Sequence, residues 1–284
     1  MIVKFVRDDL KTFSLGGSHK DTAAWGITKI DGTGNIENEI TTEKFALRDG
    51  AEITSERIPQ RSIDITARVK NRDSNEIERQ KAMSFFNPKH SFIIYITKGD
   101  VTRWIVAKIQ KFKCPEAGAR KMVEMSLALI CPDPFFYSKD NYGKNIASVT
   151  PGFGFPYISP SGRGFNVGVY NFAKQVEIEN TGDVETYATI YIEATGEVEN
   201  PKIIQNGAYI RLIDNLVNGD VIEIDLVGNT IKKNGLNCIG KIDRKSSFTD
   251  MAILPGDNTV AFSADNGDSN MNVVLYYNLK YLGA

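Results

Sequence analysis

Alternation of apolar and polar positions dominates the chain. Along residues 61–70, Ile63, Ile65, Ala67 and Val69 fall on one face while Ser62, Asp64, Thr66 and Arg68 take the other, the period-two signature of a half-buried strand. The runs "SFIIYIT", "RWIVAKIQKF" and "MVEMSLALI" are rich in β-branched or aromatic residues and of strand length, and Gly, Pro and Asp punctuate them in "KGD" and "PEAG". One segment breaks this rhythm. In "DSNEIERQKAMSFFNP" the pattern predicts a helix over about residues 74–86. Asp73 would cap it, with Glu76 completing a capping-box-like start. Ile77, Met83 and Phe86 would form a narrow apolar stripe, ended by Asn87-Pro88. A lone amphipathic helix must bury its stripe, so this one is expected to lie on a sheet.

After Cys131 the texture changes. "CPDPFFYSKDNYGKN" and "TPGFGFPYISPSGRGFNVG" concentrate Pro, Gly and aromatic residues, so Pro132 to about Tyr142 reads as a domain junction. The expected domains are residues 1–135, a β-sandwich-like domain with one helix on a sheet, and residues 136–284. From Val176 onward short strands alternate with turn signals such as "NTGD", "NGD", "KNGLN" and "PGDN", which predicts a β-sandwich or jelly roll. Asn266-Gly267, between "TVAFS" and "NVVLYY", is expected to be a hairpin turn.

Length changes this picture little: 284 residues suit two domains. Hydrophobic residues at 42% and charged ones at 24% suit a globular chain with a real core. A net charge of -1 removes the strong electrostatic pull of a dedicated nucleic-acid binder. Three scattered cysteines, Cys114, Cys131 and Cys238, argue against a disulfide framework and fit a reducing compartment. The opening "MIVKFVRDDLK" is too short and too charged for a signal peptide, and no apolar run approaches the about 20 residues that span a bilayer. The expectation is a soluble protein made inside a cell, without membrane insertion.

Candidate chemistry is sparse. In "NGDVIEIDL", Glu223 and Asp225 share the polar face of a strand, about 7 Å apart, with Asp220 just before them. A glycosidase needs two carboxylates at such a separation, one with a raised pKa. A solvated strand face gives the same pattern, and nothing in the sequence argues for the burial that would raise a pKa. "ADNGDSN" lacks the ligand spacing of a calcium loop. "SGRGFNVG", with Gly162, Gly164 and Gly168, lacks the flanking strand, helix and Lys-Ser/Thr of a nucleotide loop. Only His19 and His90 exist, too few for a three-histidine metal site. Counting alone leaves a Cys–His pair open. Trp25 and Trp104 read as core or contact anchors. No catalytic, metal or cofactor site is assigned.

Several stretches, in order, resemble the distal tail protein family of long-tailed, non-contractile phages. They are "EVENPKIIQNGAYIRL", "NGDVIEIDLVGNTIKKNGLN", "SSFTDMAILPGDNTVAFS" and the closing "VVLYYNLKYLG", with looser matches in "RDGAEITSERIPQRSIDITARV" and "CPDPFFY". The resemblance implies a galectin-like C-terminal sandwich without catalysis. It also implies a virion tail-tip protein, made in the bacterial host cytoplasm and encoded by a phage or prophage. Such a protein forms a homohexameric ring through its N-terminal domain, below the tail tube protein and above a tail-associated hub or fibre protein. DNA passes the central channel as cargo, and receptor-binding proteins dock on the C-terminal domain. Related hubs occur in contractile tails and tail-derived bacteriocins.

The polar, Gly-punctuated segment "GGSHKDTAAWGITKIDGTGNIENEI" is expected to give the ring contact an arm, with Trp25, Ile27 and Ile30 as anchors on a neighbour. Two other readings stay open at this point. One is a carbohydrate-binding sandwich using Phe153, Phe155 and Tyr157; the other is a glycoside hydrolase using Glu223 with Asp225 or Asp220.

Overall fold

The computed structural model describes residues 1–16, 23–118, 121–139, 142–151, 168–171 and 175–284. It divides into two compact units, Met1–Lys139 with Lys280–Ala284, and Asp140–Leu279.

The first unit is built from β1 (Ile2–Arg7), β2 (Thr12–Gly16), β3 (Trp25–Asp31), β4 (Glu39–Lys44), β5 (Ala51–Arg57), β6 (Arg61–Val69), α1 (Asn75–Phe85), β7 (Ser91–Lys98), β8 (Val101–Lys113), β9 (Glu124–Cys131) and β10 (Phe136–Ser138). Its main sheet runs β10-β8-β7-β1-β2-β3-β6-β9, and β9 also pairs with β8. The sheet therefore curls over on itself and encloses a core. Alternation explains which side faces in: Ile63, Ile65, Ala67 and Val69 of β6 are buried with Ile94 and Ile96 of β7 and Ile105 and Ala107 of β8. Among the described residues, the one parallel pairing in this sheet joins β2 to β3 through Leu15–Trp25.

The helix forms where expected but buries a different face. Ile77 and Met83 are exposed, and the buried positions are Glu78, Ala82 and Phe85. The reason is an aromatic plug. Phe85 and Phe86 sit 5.0 Å apart, edge to face, and reach Phe5, Phe13, Phe92 and Phe112 within centroid distances of 4.9–6.2 Å. Anchoring through its last turn leaves the outer side of the first turn in solvent. The start differs too. Asn71 accepts the Asp73 N–H at 3.1 Å and caps a short 3₁₀ turn. Ser74, at the helix N-cap, makes no side-chain cap bond, and Glu76 accepts from Arg79 and Gln80 instead of reaching back.

The described strands of the second unit all pair antiparallel. Its strands are β11 (Tyr142–Pro151), β12 (Gly168–Asn171), β13 (Gln175–Asn180), β14 (Thr189–Ala194), β15 (Val198–Glu199), β16 (Lys202–Gln205), β17 (Ala208–Arg211), β18 (Asn215–Leu216), β19 (Val221–Asp225), β20 (Thr230–Lys233), β21 (Leu236–Asn237), β22 (Gly256–Ser263) and β23 (Met271–Tyr277). They form one sheet β12-β11-β23-β14-β19-β20-β21 and another β13-β22-β16-β17. Both contribute one buried apolar face: Ile190, Ile192, Ile222, Ile224, Val273 and Leu275 from the first, Ile178, Ile203, Ile210, Val260 and Phe262 from the second. This is the expected sandwich.

Turn chemistry follows the Asn-Gly steps. Asn234-Gly235 and Asn206-Gly207 all have positive φ and join paired strands through two-residue loops. Asn266-Gly267 is different. The strands around it, β22 and β23, belong to different sheets, so this step is a crossover and not a hairpin turn. It is held by backbone bonds between Glu199 and residues 265–266.

The last strand, β24 (Lys280–Tyr281), pairs with β10 and extends the first unit's sheet. Residues 280–284 thus lie in the first unit, where the sequence reading had grouped them with residues 136–279.

Candidate functional site

The carboxylates Glu223 and Asp225 of β19, with Asp220 just before it, are the first candidates, and each has a structural task. Asp220 accepts the Val217 N–H at 3.0 Å and the Asn234 amide at 2.8 Å, and its other contact is Lys233 Nζ at 3.0 Å. The backbone donor, with Asn234 and Lys233, holds its pKa down to about 2, the reverse of what a general acid needs. Asp225 accepts the N–H groups of Val227 and Gly228 at 3.0 and 3.1 Å, closing the β19–β20 turn. Glu223 faces its cross-strand neighbour Lys232 at 3.1 Å. Ile222, Ile224 and Leu226 point into the core on the opposite face. The motif is the wet side of a strand, so the hydrolase reading loses its acid.

None of the three cysteines is an activated nucleophile. Burial pushes the Cys131 thiol up to about 12 and raises the Cys114 and Cys238 thiols as well. His90 engages Asp8 at 2.6 Å near the surface. Among the described residues, no group of three or more His, Cys, Asp or Glu could hold a metal ion. A hollow of about 500 Å³ in the second unit is lined by Glu197, Glu199, Asn215, Asn266 and Asn270 among others. It holds no nucleophile–base pair. The aromatics Phe153, Phe155 and Tyr157, with Gly162 and Gly164 and with His19, lie outside the described residues.

The expected ring anchors occupy other places than an exposed arm. Trp25 is 1% exposed, inside the first unit's core and 6.4 Å from Phe13. Ile27 and Ile30 are partly buried against the same core. The three are brought together on β3, but as packing for their own unit.

What does project is a feature that periodicity missed. Among the described strands, β4 and β5 pair only with each other, and every residue in both is exposed. Ile36, Ile40, Leu47, Ile53 and Ile58 are exposed aliphatics within this one excursion, Leu47 completely so. "EITTEK" and "AEITSER" carry charge on both faces, and a pattern without a buried face leaves a period-two search nothing to find. The usable signal was the Asp49-Gly50 turn between two β-branched runs.

At its root the hairpin is fixed by Arg61. This side chain is buried and makes no ion pair among the described residues, donating instead to four carbonyls, Pro134, Gly32, Asn35 and Leu282, at 2.6–2.8 Å. Its charge also lies over the Phe136 ring at 5.0 Å.

Comparison with known proteins points to phage tails. Residues 16–131 match the phage tail protein RIFT-related domain, and residues 181–281 match the siphovirus-type tail component, C-terminal domain. Together the two cover about three quarters of the chain. Curated protein sequences give no match. Among solved structures, the SPP1 Dit protein, described as a paradigm of the hub adsorption apparatus in phages infecting Gram-positive bacteria, superposes with a TM-score of 0.70 at 13% identity over 99% of both chains. A chain of the phage P2 baseplate in its activated conformation with calcium superposes with a TM-score of 0.52 at 11% identity over 100% of both chains.

Proposed function

The chain belongs to the siphovirus-type tail component family and is a structural distal tail protein of the virion tail tip, and from that premise we propose that copies of it close into a hexameric ring through the first unit. The ring joins the tail tube protein on one side to a tail-associated hub or fibre protein on the other. Its opening passes DNA as cargo, and the second unit offers the outward surface on which receptor-binding proteins dock. The role is one of holding parts together and is not enzymatic.

One observation carries this reading. The two family matches fall one on each unit, and a single hub protein superposes on 99% of the chain. The carbohydrate-binding reading, which rested on aromatics outside the described residues, has no such support.

The test is the solution mass of the purified chain, with negative-stain images of the same fractions. The expected result is a species near six times 31.5 kDa, imaged as rings with a central opening. A chain that stays at 31.5 kDa at every concentration overturns the ring.

A further inference from the structure

The second unit contains four Asn-Gly steps, Asn206-Gly207, Asn218-Gly219, Asn234-Gly235 and Asn266-Gly267. Such a step carries its own chemistry. The glycine amide nitrogen can attack Cγ of the asparagine, because glycine has no side chain to hinder the approach. The N–Cγ bond forms, the Cγ–Nδ2 bond breaks, and the departing amide takes the glycine amide proton and leaves as ammonia. Water then opens the five-membered imide at either carbonyl. Opening at Cγ leaves aspartate. Opening at the main-chain carbonyl leaves isoaspartate, with the backbone routed through the side chain. The reaction needs a free asparagine side chain and a free glycine N–H, and the four steps differ in both.

Three of them are guarded. Asn206 Nδ2 donates to Asn258 Oδ1 at 2.8 Å, and its Oδ1 accepts the Thr259 N–H at 3.0 Å. Asn234 is tied in the same way, with Nδ2 donating to Asp220 Oδ1 at 2.8 Å and Oδ1 accepting the Val221 N–H at 2.8 Å. Either side chain must break two bonds before its Cγ can turn to the glycine nitrogen, which lowers the reactive fraction by about tenfold or more. Asn218 is exposed and its side chain has no partner among the described residues. There the nucleophile is occupied instead, since the Gly219 N–H donates to the Ala194 carbonyl at 2.8 Å.

At Asn266 neither guard is present. The residue is exposed, its side-chain amide has no partner among the described residues, and the Gly267 N–H donates to none of them. We propose that Asn266 is the chain's site of spontaneous deamidation, converting to aspartate and isoaspartate at the crossover between the two sheets while Asn206, Asn218 and Asn234 persist. The step is held by three backbone bonds of 2.9 Å: Glu199 N–H to the Asn266 carbonyl, Asp265 N–H to the Glu199 carbonyl, and Asn270 N–H to the Gly267 carbonyl. None of them engages the attacking nitrogen or the Asn266 side chain.

The products would alter this place in two ways. Either one adds a carboxylate to the rim of the hollow that already carries Glu197 and Glu199, between Asp265 and Asp268 in sequence. Isoaspartate also lengthens the main chain by one carbon, next to a glycine on which a Cβ would stand 2.0 Å from the Glu197 carbonyl oxygen. A virion protein is not resynthesised after assembly, so the converted fraction grows with the age of the particle. The inference does not depend on the ring.

The test incubates the full chain at mildly alkaline pH and follows each step by mass spectrometry, with digestion in heavy-oxygen water so that conversion during handling is marked. Cleavage after Lys and Arg places the four steps in four different peptides. In the folded chain Asn266 should convert about tenfold or more faster than Asn206, Asn218 or Asn234, and both products should appear. In urea, where the guards are lost, the four rates should converge. Asn266→Gln, an exposed change whose longer side chain closes its ring far more slowly, should remove the product and leave the thermal melt in place. Conversion led by Asn218, or an Asn266 no faster than Asn206 and Asn234, overturns the proposal. A lead of Asn266 that persists undiminished in urea overturns the role given to the fold.

Discussion

Arg61 Nη2 donates to the Leu282 carbonyl at 2.6 Å, across 221 residues of chain. This bond, with β24 on β10 and the further donations from Lys98 to Ala284 and Arg103 to Gly283, sews the last residues into the first unit. The guanidinium has no carboxylate partner among the described residues, and burial lowers its pKa. Its fork is nevertheless saturated by carbonyl oxygens, which is the arrangement a fixed planar donor serves and an ammonium cannot.

Replacing Arg61 should therefore be costly. Arg61→Ala strands several carbonyls and is expected to lower stability by about 2–4 kcal/mol. Arg61→Lys should recover only part of that, because one ammonium cannot span four acceptors. Urea unfolding followed by tryptophan fluorescence checks both, since Trp25 and Trp104 both lie in the first unit. Equal stability of the lysine variant and wild type would refute the argument.

The phenylalanine plug separates the two faces of α1. Phe86 is 1% exposed among five other rings, so Phe86→Ala should cost about 3–5 kcal/mol. Ile77→Ala, on the exposed side, should stay within about 0.5 kcal/mol. Thermal melts of the two variants decide whether the helix is held by its last turn or along its length.

Trp25 gives a prediction of a different kind. Because it fills the core, Trp25→Ser should unfold the first unit, by about 3–5 kcal/mol, before any oligomer contact is felt. Circular dichroism of the dilute variant checks this; a folded monomer that merely fails to assemble would return Trp25 to the interface.

How legible the chain was follows from these residues. Ile63, Ile65, Ala67 and Val69 announce an inward face by alternation alone, and they are buried. The helix was legible in extent, yet its buried face was not, because Phe85 and Phe86 are adjacent in sequence and the plug they form depends on Phe5, Phe13 and Phe92 from distant strands. Trp25 reads as an anchor because it stands in a polar, Gly-punctuated segment; what buries it is β6, paired through Val69. The hairpin escaped for the opposite reason. Its apolar residues are aligned by a bulge, and a skipped residue breaks the very period that a search relies on. The carboxylates of β19 were readable as a polar face, and only the Val217 and Asn234 contacts show that Asp220 braces a turn.

Asp220 carries a pH dependence. Its native pKa is depressed, so its stabilising effect is present above the unfolded value near 4 and is lost as pH falls through the native value of about 2. Asp220→Ala should be less stable than wild type by about 1–2 kcal/mol at pH 7. The difference should shrink between pH 4 and pH 2 and be absent below. Paired denaturation curves at several pH values cancel the other carboxylates. A gap that persists at the lowest pH would mean that packing, and not the charge, is what Asp220 supplies.

Gly267 and Gly235 form a matched pair, since both hold positive φ, +76° and +80°. A Cβ on Gly235 would meet nothing within 4 Å, whereas one on Gly267 would stand 2.0 Å from the Glu197 carbonyl oxygen. Gly235→Ala then carries only the left-handed penalty, about 1–2 kcal/mol. Gly267→Ala carries that penalty plus a displacement of backbone, because no flexible side chain can yield. Its cost should exceed that of Gly235→Ala by at least about 1 kcal/mol. The displaced strand, β15, pairs with β18, whose Leu216 is buried, so the damage should spread into the sandwich and show as faster amide exchange at Val198 and Leu216. Equal melting temperatures for the two alanine variants would mean that the crossover at Asn266-Gly267 can shift freely, and that the tight approach to Glu197 does not hold the two sheets in place.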